Sequence, residues 1–135
     1  MGARFLVCLL LAAACAAACE DTATTTSTTP TPTVSEPPFA GTIGINGAAI
    51  LQFSATARGQ VTATVATLDP ADAVIGLSVG TWNGASCQVI IDKTDAVQGT
   101  VLQPNVSGVG NLCVRVYDSG KLTGATTFTV NVTHP

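Results

Sequence analysis

From Phe39 onward, apolar residues recur at every second position in short runs bounded by Gly, Pro, Asn and Asp. The clearest run sets Val61, Ala63 and Val65 against Thr62 and Thr64. Period-two alternation sends alternate side chains to opposite faces of an extended strand. The same rule predicts inward sets at Ile75, Leu77 and Val79, at Leu112, Val114 and Val116, and at Phe128, Val130 and Val132. Eight runs read as strands: 41–45, 48–56, 60–68, 73–82, 86–91, 99–106, 111–118 and 125–132. No window after the first 18 residues keeps a helical period. Short strands at such spacing predict an antiparallel, jelly-roll-like β-sandwich over residues 39–135.

Turn chemistry sharpens this expectation. Asn46-Gly47 between two β-prone runs predicts a two-residue hairpin. Asp69-Pro70 predicts a turn before the next strand. At Asn83-Gly84 a two-residue hairpin would place Trp82 opposite Ala85 and Leu77 opposite Ile90. Val89 and Ile91 would then face away from Leu77, because a one-residue slip reverses every side chain. A bulge or a longer loop between residues 73 and 92 is therefore predicted.

The N-terminal pattern is different in kind. Met1 to Arg4 carries a positive charge, and Phe5 to Ala18 is apolar. The run is shorter than the roughly 20 residues a membrane span needs, so 1–18 reads as a signal peptide. Ala16–Ala18 and Cys19, followed by Glu20 and Asp21, resemble a bacterial lipoprotein signal, the lipobox. That resemblance implies cleavage before a cysteine bearing diacylglycerol and anchoring in a cell membrane or outer membrane. Cys19 fits best, since it ends the apolar run; Cys15, also preceded by three alanines, is the alternative, and cleavage without lipid leads to secretion. Residues 19–38 are rich in Thr and Pro and read as a disordered tether. Its reach lies between roughly 25 Å as a coil and roughly 60 Å when extended.

Beyond residue 18 the charge is four basic against eight acidic residues, a net of −4. With no basic patch, a nucleic-acid partner is not expected. Cys87 and Cys113 are the only cysteines in the folded part, which in an exported chain predicts a disulfide. The single histidine, His134, follows the last predicted strand and is expected in solvent, which leaves a Ser-His-Asp triad without its base. Asp69, Asp72, Asp92 and Asp95 sit where turns use acids, so neither a glycosidase pair nor a metal site is expected; calcium at these four is the weaker alternative. Trp82 and Tyr117, the lone Trp and Tyr, are the possible ligand contacts, with capping of the core as the other role.

Two segments, ILQFSATARGQVTATVATLDP and GNLCVRVYDSGKLTGATTFTVNV, resemble the bacterial pre-peptidase C-terminal (PPC) domain family. Phe53, Gly59, Val61, Val65, Gly110, Val114, Val116, Phe128 and Val130 carry the likeness. It implies a non-catalytic β-sandwich accompanying secreted enzymes. The expected function is a binding or structural module at the cell envelope, contacting an unknown protein or glycan. Its alternatives are a carbohydrate-binding module using Trp82 and an accessory or inhibitor that docks on a separately encoded hydrolase.

Overall fold

The computed structural model describes residues 30–135. The expected signal peptide, Cys15, Cys19 and the first part of the tether lie outside the described residues. The strands are β1 (Val34–Ser35), β2 (Phe39–Ile43), β3 (Ala48–Ala55), β4 (Gly59–Gln60), β5 (Thr62–Asp69) and β6 (Ile75–Trp82). They continue as β7 (Cys87–Ala96), β8 (Val101–Leu102), β9 (Asn105–Val106), β10 (Gly110–Tyr117) and β11 (Thr126–His134). In one sheet, β1 and β2 lie in turn along one edge of β11, whose other edge pairs with β5 and then β8. The second sheet runs β3-β10-β6-β7, and β4 and β9 form a small ribbon. Every pairing is antiparallel.

The two four-strand paths face each other across one core. Ala63, Val65, Phe128, Val130 and Val132 come from one sheet; Leu77, Val79, Leu112, Val114 and Val116 come from the other. Each predicted inward set is buried. A fully buried Val, Leu or Phe contributes about 1.5–3 kcal/mol relative to exposure, so these alternating positions dominate the stability of the fold.

Among the described residues, eleven strands replace the eight expected. Two predicted runs are each split in two: the 60–68 run breaks at Val61, whose amide donates to Pro104 O, and the 99–106 run breaks at Pro104 itself. The third addition is β1, so the sheet takes in part of the segment expected as tether. Val34 pairs with His134 and Ser35 with Thr133, and the Glu36 amide donates to Val132 O.

Asn46-Gly47 turns the chain but makes no hairpin. β2 pairs with β11 and β3 with β10, so the turn carries the chain from one sheet to the other. The Gly47 amide donates to Gly44 O, and Asn46 has φ 59°, the left-handed value that the third residue of a type II turn requires.

Alternation in β5 also changes phase. A bulge at Ala66 brings Leu68 into register with Phe128, where strict period two from Val65 would have brought Thr67 inward. His134 corrects the expectation of a solvated histidine. Period two in β11 continues through Thr126, Phe128, Val130 and Val132 to His134, which is only 3% exposed. Its ring lies 4.9 Å from that of Phe53, its Nε2 is 2.9 Å from Glu36 Oε1, and its Nδ1 is 3.2 Å from Pro135 O.

Candidate functional site

The outer face of the β3-β10-β6-β7 sheet gathers the side chains that the core does not use. On β6 this face reads Gly76, Ser78, Gly80 and Trp82, the positions between Ile75, Leu77 and Val79. On β10 it reads Asn111, Cys113, Arg115 and Tyr117, and on β3 Ile50, Gln52 and Ser54, their register partners.

The β6–β7 hairpin contains both of the features expected as alternatives, a longer loop and a bulge. Trp82 pairs with Cys87, leaving the four residues 83–86 as the loop, and Ile90 is the extra residue between Val79↔Ile91 and Gly80↔Val89. The bulge returns Ile91 to the core side and leaves Val89 and Ile90 each 51% exposed. The loop is fixed by Asn83, whose Oδ1 accepts from the amides of Ala85 at 2.9 Å and Ser86 at 2.8 Å.

At this bend β7 rides over β6. A Cβ on Gly80 would meet Gln88 O at 2.1 Å, so only glycine admits the crossing. The crossing brings Cys87 to Cys113, with Cα atoms 5.8 Å apart, and the two form the predicted disulfide. The bridge therefore ties edge strand β7 to β10 across the strand between them. With 26 residues of sequence separation, its loop-closure contribution is about 3.5 kcal/mol in the chain-entropy model.

Trp82 stands beside this bridge as the last residue of β6, the strand in which it was expected, and its side chain is half-buried. Together with Gln52, Ser54, Asn111 and the Asn83-Gly84 turn it lines a groove of about 540 Å³, with Phe53 beneath. Register explains the assembly. Asn111 pairs with Ser54 on one side, and the Leu112↔Thr81 pair puts Trp82 next to Asn111 on the other. Ser54 Oγ donates to Asn111 Oδ1 at 2.9 Å. Phe53 also touches His134, so the chain enters the sandwich through β1 at the same end as the groove.

Tyr117, the other aromatic expected as a contact, lies at the far end of this face. Its partner Gly76 lies six steps along β6 from Trp82, a span of about 20 Å. Its ring covers Gly76, where a Cβ would fall 2.2 Å from Tyr117 Cζ. The Arg115 guanidinium sits 4.6 Å from the ring centroid, and the phenol donates to Asp92 Oδ1 at 2.8 Å. Burial, then the hydrogen bond and negative charge of Asp92, push the phenol up to about 12.

Of the other acids picked out from the sequence, one is paired and two lie at a turn. Asp95 pairs with Lys93 at 3.0 Å, and that hydrogen bond and charge hold its carboxyl below the usual value. Asp69 closes β5 at a cis bond to Pro70, and Asp72 follows in the turn. Among the described residues no three His, Cys, Asp or Glu side chains come close enough to hold a metal ion.

Asp118, which sequence reasoning did not single out, is the most heavily used acid among the described residues. Its Oδ1 accepts from the amides of Gly120, Lys121 and Leu122, and its Oδ2 from that of Asn46. These backbone donors, Asn46 first, lower its carboxyl pKa. The only sequence signal was Asp followed by Ser-Gly, a turn pattern.

Compared with known proteins, the chain matches no family model and no curated sequence.

Proposed function

We propose that this chain is a non-catalytic, exported β-sandwich that works by binding, anchored to a membrane through lipid on Cys19, with Cys15 as the alternative. The observation that carries the binding role is the Trp82 groove. A half-buried indole on β6 and three polar side chains on β3 and β10 converge on one surface, and a disulfide and a hydrogen-bonded loop hold that surface in place. A rigid aromatic set among fixed polar groups is the usual anchor of a binding surface. Three of the acids support the same reading. Asp92, Asp95 and Asp118 each have a structural partner within hydrogen-bond reach.

The likeness to PPC modules favours a second reading, an accessory or inhibitor docking on a separately encoded hydrolase. Val89 and Ile90, with Val109 at 80% exposure, offer apolar surface for such a contact. Alanine in place of Val109 and Ile90 would weaken hydrolase docking and leave binding at the Trp82 groove unchanged.

The test uses the chain purified from its native envelope. Mass spectrometry of the N-terminus should find lipid-modified Cys19, and ester, peptide and glycoside substrates should show no turnover. An unmodified N-terminus removes the anchor from the proposal. Hydrolysis that survives repurification and vanishes on changing Asp69, Asp72, Asp92 or Asp95 overturns the binding role.

A further inference from the structure

We propose that the Trp82 groove takes an uncharged glycan. This inference rests on the binding role proposed above and names the ligand class of the same site. The lining is Gln52, Ser54, Trp82, Asn83 and Asn111, with Phe53 beneath and Gly84 at the turn; none of these side chains ionises. An anionic or cationic ligand seated here would give up hydration and meet no countercharge, which is costly. A neutral ligand escapes that cost.

The polar groups match a polyhydroxylated partner. Each amide side chain both donates and accepts, as each sugar hydroxyl does. Ser54 Oγ already donates to Asn111 Oδ1. That bond leaves Asn111 Nδ2 to donate and Ser54 Oγ to accept. Gln52, one step along β3, adds a second amide. Because Ser54, Asn111 and Trp82 sit on three adjacent strands, the row spans about 10 Å at the ordinary strand spacing. It presents two hydrogen-bonding side chains and then an aromatic face. An indole face takes the C–H side of a sugar ring, while its N–H remains available to a hydroxyl.

The groove is also preorganised. Trp82 is flanked by the Cys87–Cys113 bridge and by the loop that Asn83 closes, so little ordering remains to be done on binding.

Trp82 is the chain's single tryptophan, so its fluorescence reports this groove alone. The full chain is titrated with neutral gluco-, xylo-, manno- and chito-hexaoses, and in parallel with oligogalacturonate and heparin fragments as charged probes. At least one neutral oligosaccharide should shift the Trp82 emission saturably, and the charged probes should not. By calorimetry, Trp82→Ala and Asn111→Ala should each weaken that binding about tenfold or more, equivalent to about 1.4 kcal/mol, with an unchanged far-ultraviolet dichroism spectrum. Trp82→Phe should restore part of the affinity.

Charged probes binding as well as the neutral ones would overturn the ligand class and keep the binding role. A silent neutral set overturns the glycan inference. A photo-reactive side chain at position 82, in the native envelope, then separates the two levels. Cross-linking to a protein would leave the binding role standing, and no cross-link would remove both.

Discussion

Tyr117 shows what one side chain does when its surroundings are fixed. Its ring occupies the space that Gly76 leaves empty, and its hydroxyl is committed to Asp92. Both burial and the Asp92 carboxylate oppose the phenolate, and its pKa is raised from 10.0 to about 12. A raised folded pKa gives stability that is complete below the unfolded value near 10 and is lost as pH climbs from there through about 12. Because Tyr117 is the only tyrosine, an ultraviolet absorbance titration reads it directly. The midpoint should lie near 12 in the parent chain. Asp92→Asn should lower it, and the rise that remains above 10 is that of burial, the largest single cause. A midpoint at the ordinary value in the folded parent would show that the ring does not lie over Gly76. Asp118 works with the opposite sign. Its lowered carboxyl favours the fold at neutral pH, and the benefit is lost as pH falls below its ordinary value of 3.8.

At the scale of the element, the β6–β7 hairpin is governed by two glycines on one face. A Cβ at Gly80 would run into the backbone at Gln88, whereas one at Gly76 would meet the movable Tyr117 ring. Gly80→Ala should therefore destabilise the chain by about 1–3 kcal/mol in urea unfolding, the usual cost of overpacking. Gly76→Ala should cost less in the same assay and show up mainly as a fall in the Tyr117 midpoint. Equal costs would contradict the crossing of β7 over β6.

The inward sets at 75, 77, 79, at 112, 114, 116 and at 128, 130, 132 were legible in the sequence, because burial and period two are local rules. So was the need for irregularity near Asn83, since Ile91 had to reach the core. Three features were not legible. The Ala66 bulge answers to the register of β11, and Asn46-Gly47 has the same turn chemistry whether its strands pair or part. The burial of His134 depends on Phe53, 81 positions away in the chain. The groove was half legible. Trp82 stood out alone, but Gln52, Ser54 and Asn111 join it only through pairings of β3, β10 and β6.

At the largest scale, the described residues form two main sheets around one core, strapped on the outside by Cys87–Cys113. Strand β1 pairs with the end of β11, Val34 against His134, and Glu36 meets the His134 ring. The first and last strands of the sandwich are thus neighbours, and the order in which the strands are strung can be changed without moving any of them. A permuted chain that joins Pro135 to Val34 through a short Gly-Ser linker and opens between Gly108 and Val109, an exposed stretch between β9 and β10, should fold. It should keep both the Tyr117 titration and the disulfide; loss of either would mean that the 106–110 connection is itself needed to register β10. The same adjacency makes the sandwich an insertable part. Spliced into a surface loop of another protein, it would enter and leave at nearly one point, and the host would hold the Trp82 groove close to its own surface.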